Sequence, residues 1–397
     1  MRNVSIAILL CAYLAGCASS PPVQGPVHEE TSLAVGASLD ALVPELIEEE
    51  KAAGVGIAVI RGGEFVWQGY YGEQGPGIAV NTNTVFNTAS VAKTITAETL
   101  IALSAKGLID LDEPIAAYVD HPDLSIDPRY SLLTARLLLS HRAGLLNWAY
   151  AYEDGVLAFD HDPDTRFSYS GAGIELAARY ASAKVGQPLQ ELAFEHVLGP
   201  AGIREMSMGM IAEWTVGRIT TPMDAEGSYR PIAELNESLA RGDANSAADD
   251  LLSTVPAYAK LITALLESSW LSEAQIAERE RIITSLAQDD IYQCPELSWL
   301  TCPTQFGHGL GWQVFEYADH KVLKHSGSDA GENAMVYYSP NTRNGAVIFV
   351  NGANGWVVMT RIIEAIGDEP LIADYYRGLI ETVMGRPMPP LVEPAAE

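Results

Sequence analysis

The sequence predicts an α/β domain that carries an inserted, mostly helical region. Strand-like apolar runs gather near both ends of the chain. Val55 to Ile60 and Glu64 to Trp67 lie early, and Leu310 to Phe315, Lys321 to Lys324, Ala334 to Tyr338 and Ala346 to Asn351 lie late. Between them, over about residues 116–299, the apolar spacing is predominantly helical, as in Ser131 to Ser140, Gly173 to Lys184 and Asp249 to Glu267. With 397 residues, 48% of them hydrophobic, the chain is long enough for one large domain or two ordinary ones with a sizeable core.

The elements follow in order. Arg2 and the apolar run Ile6 to Leu14 read as an export signal, too short to span a bilayer. Leu14-Ala15-Gly16-Cys17 at its end resembles the lipobox of bacterial lipoproteins, which implies removal of residues 1–16 and lipidation of Cys17; an ordinary signal peptide cleaved near Ala18 is the alternative. Ala18 after the cysteine fits the periplasmic face of an outer membrane in a Gram-negative host. Residues 17–35, with Ser19-Ser20-Pro21-Pro22 and Gly25-Pro26, read as a tether, and the folded body is expected over 36–390. Its α/β part spans about 36–115 and 300–390. Leu39, Leu42, Leu46 and Ile47 predict a helix over Ser38 to Lys51, Arg61-Gly62-Gly63 turns the first hairpin, and Thr88 to Lys106 is a second helix ending at Gly107. Val357 to Ile366 closes the pattern as a helix.

With 51 acidic and 24 basic residues, the net charge of -27 opposes nucleic acid and anionic lipid surfaces as partners. The same charge suits a well-solvated surface. Of four cysteines, Cys11 leaves with the signal and Cys17 carries lipid, so Cys294 and Cys302 form the remaining pair in an oxidising compartment. A local disulfide is expected. Neither cysteine has a Cys-x-x-Cys neighbour or an adjacent histidine, so no metal role is assigned.

Three short elements carry chemistry. Ser90-Val91-Ala92-Lys93 opens the second helix, where i and i+3 side chains share a face, so the Lys93 amine reaches the Ser90 hydroxyl; alone, the pair also reads as two solvated side chains. A desolvated neutral amine can serve as base for a hydroxyl that is otherwise a weak nucleophile. In Phe167-Ser168-Tyr169-Ser170-Gly171 the tyrosine is a candidate phenolate, its pKa expected to fall beside the Lys93 ammonium. His325-Ser326-Gly327-Ser328 lies on a strand whose Ser328 N–H, with that of Ser90, would form an oxyanion hole. Alone, Tyr169 also reads as a core aromatic and His325 as a structural histidine.

In this order and spacing the three elements resemble the serine β-lactamase and penicillin-binding protein superfamily, most closely class C enzymes, DD-peptidases and related carboxylesterases, over about residues 36–385. Leu138-Leu139-Ser140-His141-Arg142-Ala143-Gly144-Leu145 and Gly309-Leu310-Gly311-Trp312 add to the likeness. The resemblance implies an antiparallel sheet flanked by helices, Ser90 as the acylated nucleophile, Lys93 and Tyr169 as a proton-shuttling pair, and His325 in the Lys or His place of the third motif. It requires no cofactor. Gly171 stands where such enzymes usually have an asparagine that holds an acylamino group, which favours ester substrates over lactams and D-Ala-D-Ala peptides. Asn351 corresponds either to an asparagine at the carboxylate end of the site or to a strand-end turn residue. Trp148, Tyr150 and Tyr152 are candidates for substrate contact, core or lid, and His141 for a structural role. The expected activity is hydrolysis of small-molecule or peptidoglycan-like esters or amides. β-Lactamase or D-alanyl-D-alanine carboxypeptidase activity is the alternative, and a non-catalytic muropeptide-binding module is the reading from another class. Oligomeric state is left open.

Overall fold

A computed structural model describes residues 27–209, 211–230, 247–267, 270–287, 289 and 292–391. Cys17, the signal segment and the tether up to residue 26 lie outside the described residues.

Helix α1 (Val27–Glu50) leads into the hairpin β1 (Gly54–Arg61) and β2 (Glu64–Gly75), followed by β3 (Ile78–Ala79) and β4 (Phe86–Asn87). The hairpin turns through Gly62 and Gly63, both with positive φ, as a two-residue turn between twisted strands requires. α1 starts earlier than Ser38, within the expected tether. Buried Val35 extends the docking stripe of Leu39, Val43 and Leu46 by one turn, and the spacing from Leu39 alone did not reveal it.

After α2 (Ala92–Ala105) come α3 (Ala135–Leu139), α4 (Gly171–Val185), α5 (Leu189–Ala193), β5 (Met206–Met208), β6 (Leu251–Ser253), α6 (Val255–Glu267) and α7 (Glu273–Arg279). The middle region is therefore not purely helical. β5 and β6 join β4 in a small antiparallel sheet of order β4-β6-β5, so the helix expected from Asp249 begins only at Val255.

The closing part holds β7 (Thr284–Ser285), β8 (Gln305–His308), β9 (Gln313–Glu316), β10 (Lys321–Asp329), β11 (Glu332–Tyr338), β12 (Gly345–Asn351), α8 (Gly355–Ile366) and α9 (Pro370–Thr382). The main sheet runs β3-β2-β1-β12-β11-β10-β9-β8-β7, antiparallel throughout, and unites both chain ends through the β1–β12 pairing, Ile57 opposite Ile348. It already takes in residues 284–285, ahead of the expected boundary at 300. Residues 310–312 form the turn into β9, with Gly311 at φ 74°, instead of the start of a strand.

Both faces of the sheet are covered, which explains the continuous apolar run of β1. Val55, Ile57 and Val59 pack with α1 and α8 residues, whereas Ala58 and Ile60 pack with Ile95 of α2 and Tyr258 and Ile262 of α6. A third core, around Leu100, Leu138, Ile174 and Tyr180, fastens α2 to α3 and α4. α2 thus lies between two cores, with Ala92 and Ile95 of its first turn in the core shared with the sheet and Ala97, Leu100, Ile101 and Leu103 in the third. Among the described residues no helix is long and apolar enough to cross a membrane.

Cys294 and Cys302 are bridged, Cα to Cα 5.9 Å. Closing this short loop stabilises by roughly 2–3 kcal/mol in the chain-entropy model. Cys294→Ser together with Cys302→Ser is expected to lower the melting temperature by a few degrees, and reduction of the native protein is expected to do the same. Identical melting curves with and without reductant would show that the bridge adds no stability.

Candidate active site

Ser90 sits on a sharp strand-to-helix connection. β4 ends at Asn87, whose Oδ1 accepts the Ala89 N–H at 3.0 Å, and Ala89 takes a left-handed φ of 46°, strained for a residue with a Cβ. A single 3-10 turn, Ala89–Val91, then feeds α2. Ser90 therefore stands at the helix N-terminus, where unpaired N–H groups favour negative charge.

Lys93 follows one turn later and is fully buried. Its Nζ donates to Ser90 Oγ at 2.9 Å and to the Ala248 carbonyl at 2.6 Å. Desolvation lowers its pKa to about 8, against the opposing pull of Asp249 and Glu175. A substantial neutral fraction is thus present near pH 8.

Tyr169 belongs to the segment entering α4. Ser170 caps that helix, its Oγ accepting the Gly173 N–H at 2.9 Å. The segment is sewn to the one around His141: Ser168 N–H reaches the His141 carbonyl at 2.9 Å, and Ser170 N–H reaches His141 Nδ1 at 3.1 Å. The His141 ring lies 4.5 Å from that of Tyr169, centroid to centroid, so His141 supports the tyrosine. The expected fall in the Tyr169 pKa is not found. Burial raises it, with only partial relief from a hydrogen bond to Ser90. The Lys93 amine lies over the ring face, 4.9 Å from its centroid. Tyr169 therefore remains a protonated phenol.

β10 brings the third element alongside. A Cβ on Gly327 would come within 2.0 Å of the Thr88 carbonyl and 3.0 Å of the Ser90 nitrogen, so only glycine lets this strand approach the Ser90 turn so closely. His325 donates from Nδ1 to the Ser326 carbonyl at 2.8 Å, and burial first, then Lys93 and Lys324, keep its ring neutral. Ser90, Tyr169, His325 and Ser328 line one cavity of about 530 Å³.

Other expected residues lie differently. Gly171 does not line that cavity; its N–H donates to Asn147 Oδ1 at 2.8 Å, and the Trp148 ring fills the space a side chain would take, 2.3 Å from an added Cβ. Asn351 ties strand ends together, its amide donating to the Thr221 carbonyl at 2.9 Å, and it also stays outside the cavity. Tyr152 donates to the Ala158 carbonyl, and Tyr150 is exposed. Neither they nor Trp148 line the cavity.

Asn147, His308 and Lys324 line it without having been singled out. Lys324 is fully buried, donating to Gln313 Oε1 at 2.8 Å and Ser326 Oγ at 2.9 Å, with its amine 4.7 Å from the Tyr376 ring centroid. Its adjacency to His325 on a strand was the available signal, since alternation places it beside Ser326. Asn147 and His308 carry no local signal. The cavity also has an apolar wall, built by Leu379 and Ile380 of α9 with Val383 and Met384.

A family model described as beta-lactamase matches residues 39–367. Penicillin-binding protein 4 of Amycolatopsis lactamdurans is 22% identical over 346 residues, covering 82% of this chain and 84% of that protein. Esterase EstB of Burkholderia gladioli is 26% identical over 201 residues, 43% of this chain and 51% of its own length. Among solved structures, a class C β-lactamase mutant shares the fold with a TM-score of 0.66 at 14% identity, over 87% of this chain and 97% of that one. With the family model spanning the sheet, the Ser90 turn and α4, this chain belongs to the β-lactamase family of hydrolases.

Proposed function

We propose that the chain is a serine hydrolase acting through an acyl-enzyme on Ser90, with esters preferred over β-lactams and D-Ala-D-Ala peptides. The observation that carries this reading is the 2.9 Å hydrogen bond between Lys93 Nζ and Ser90 Oγ, with the amine buried and its pKa lowered. The neutral amine takes the Ser90 proton as Oγ attacks the carbonyl carbon. The N–H groups of Ser90 and Ser328 receive the oxyanion. Tyr169, held protonated, donates to the departing alkoxide or amine, and water reverses the sequence to free the serine. The ester preference rests on Gly171 and Trp148. An amide side chain at 171 has no room, and Asn147 has its Oδ1 taken by the Gly171 N–H, which leaves a substrate acylamide only the Asn147 Nδ2 donor and not a matched donor and acceptor. An imperfectly paired buried amide costs about 1–3 kcal/mol. The Leu14-Ala15-Gly16-Cys17 segment adds to the proposal an exported protein tethered by lipid at Cys17.

Ser90→Ala is expected to abolish hydrolysis of p-nitrophenyl butyrate while leaving the melting curve in place, since loss of a nucleophile reaches about a millionfold. Wild-type turnover by the purified variant would rule out Ser90 as nucleophile.

The pH profile follows from Lys93. Its protonated form cannot act as base, so kcat/KM should rise as pH increases through about 8 and level off above it. The raised Tyr169 and lowered His325 values add no limb between about pH 6 and 9, whereas Asp249 and Glu175, both raised to about 7 by burial, titrate inside that range and shape the lower part of the limb with Lys93. A flat profile across that range would contradict the amine as base.

A substrate panel tests the preference. p-Nitrophenyl acetate and butyrate are expected to exceed a chromogenic cephalosporin and a D-Ala-D-Ala peptide in kcat/KM by about tenfold or more. A cephalosporin cleaved faster than either ester would overturn it. Gly171→Asn drives its side chain into the Trp148 ring, outside the cavity, and is expected to lower the melting temperature without raising lactam acylation.

A further inference from the structure

We propose that Glu175 is a positioning residue for the Lys93 base: it holds the Ala247–Ala248 backbone so that the Ala248 carbonyl is aimed at Lys93 Nζ. This rests on the reading of Lys93 as the base. Glu175 lies one turn into α4, on the helix whose N-terminus follows Tyr169. Its Oε1 accepts both the Ala247 and Ala248 N–H groups at 3.0 Å. On the opposite side of the same two residues, the carbonyls turn to α2: Ala247 O accepts Thr96 Oγ1 at 2.6 Å and Ala248 O accepts Lys93 Nζ at 2.6 Å.

The backbone at 247–248 is thus clamped, carboxylate on its donors and α2 on its acceptors. Ala247 and Ala248 are buried in the third core and offer no polar side chain of their own to fix their orientation. Two N–H groups converging on one carboxylate oxygen constrain the backbone torsions on both sides of Ala247, and with them the direction of the next carbonyl. That carbonyl is one of two neutral acceptors for a buried amine. A rotation that withdrew it would leave Lys93 to reorient away from Ser90.

Glu175 also faces Lys93 electrostatically, beside Asp249, which follows Ala248, and the rings of Tyr169, His141, His308 and His325. Its carboxyl is raised to about 7, by burial first and against the pull of the Ala248 and Ala247 N–H groups, of Arg179 on its own helix and of Lys93.

Glu175→Ala, Glu175→Gln and Lys93→Ala, each counted by fluorophosphonate titration of active serines where labelling allows and otherwise by folded protein, separate the possibilities. Glu175→Ala is expected to lower kcat about ten- to a hundredfold with KM within about twofold, because small misplacements of a reacting group cost that much. Its acid limb of kcat/KM should move to lower pH, since losing the aimed acceptor and the nearby charge both disfavour the ammonium. Glu175→Gln keeps an acceptor oxygen and should stay within about threefold of the native kcat. If Glu175→Ala does not fold, Glu175→Asp, which withdraws the carboxylate by one methylene, carries the same kcat and pH expectation. Native kcat and an unmoved limb in Glu175→Ala or Glu175→Asp, with only the melting temperature lowered, would show a purely structural carboxylate. Glutamine as damaging as alanine would show that charge, not aim, matters. Both results overturn the proposal while leaving Lys93 as base; an active Lys93→Ala overturns the proposal and the base reading together.

Discussion

A buried lysine amine must be held by something, and no carboxylate lies within ion-pairing distance of Lys93 among the described residues. It is held by neutral oxygens instead, Ser90 Oγ and the Ala248 carbonyl. A directly paired carboxylate would keep the amine protonated and useless as a base, whereas neutral acceptors leave desolvation in command. Asp249 and Glu175 act on it from a greater distance and soften the effect. The rest of the site follows from keeping this amine dry and aimed. α2 is clamped between two cores, the 247–248 strap covers Lys93, and β10 closes over the Ser90 turn because Gly327 has no side chain.

The cavity that opens onto Ser90 has two characters. Its lining includes polar side chains, Tyr169, His325, Asn147 and Ser328 among them, and an apolar wall from α9 and the residues after it. Lys324 lies buried near that wall, its amine over aromatic rings and its donors turned to Gln313 and Ser326.

Local chemistry was legible in the sequence. Ser90 and Lys93 are three residues apart on one helix, so their contact needs only helical geometry, and the alternating run of β10 places His325 and Gly327 on one side. What depends on distant segments was not legible. Trp148 filling the space at Gly171, Asn147 accepting its N–H and Ala248 meeting Lys93 all join residues far apart in the chain. The Tyr169 expectation failed for a related reason. Proximity to an ammonium was visible in the motif, but the degree of burial and the placement of the amine over the ring face belong to the fold, and burial outweighs the charge. In the fold itself, long apolar patterns gave the sheet and the flanking helices, while the three-residue strands β5 and β6 were absorbed into a helical reading because so short a segment has no period of its own.

The central claim is that Ser90 is activated by its surroundings and forms a covalent intermediate. The most direct measurement is to treat the folded protein with a fluorophosphonate at pH 8, digest it, and locate the adduct by peptide mass spectrometry. A single stoichiometric adduct on Ser90, absent after unfolding the protein before exposure, is the predicted result. Esterase turnover in a protein whose Ser90 peptide stays unmodified, or an adduct on another serine that accounts for the lost activity, would contradict it.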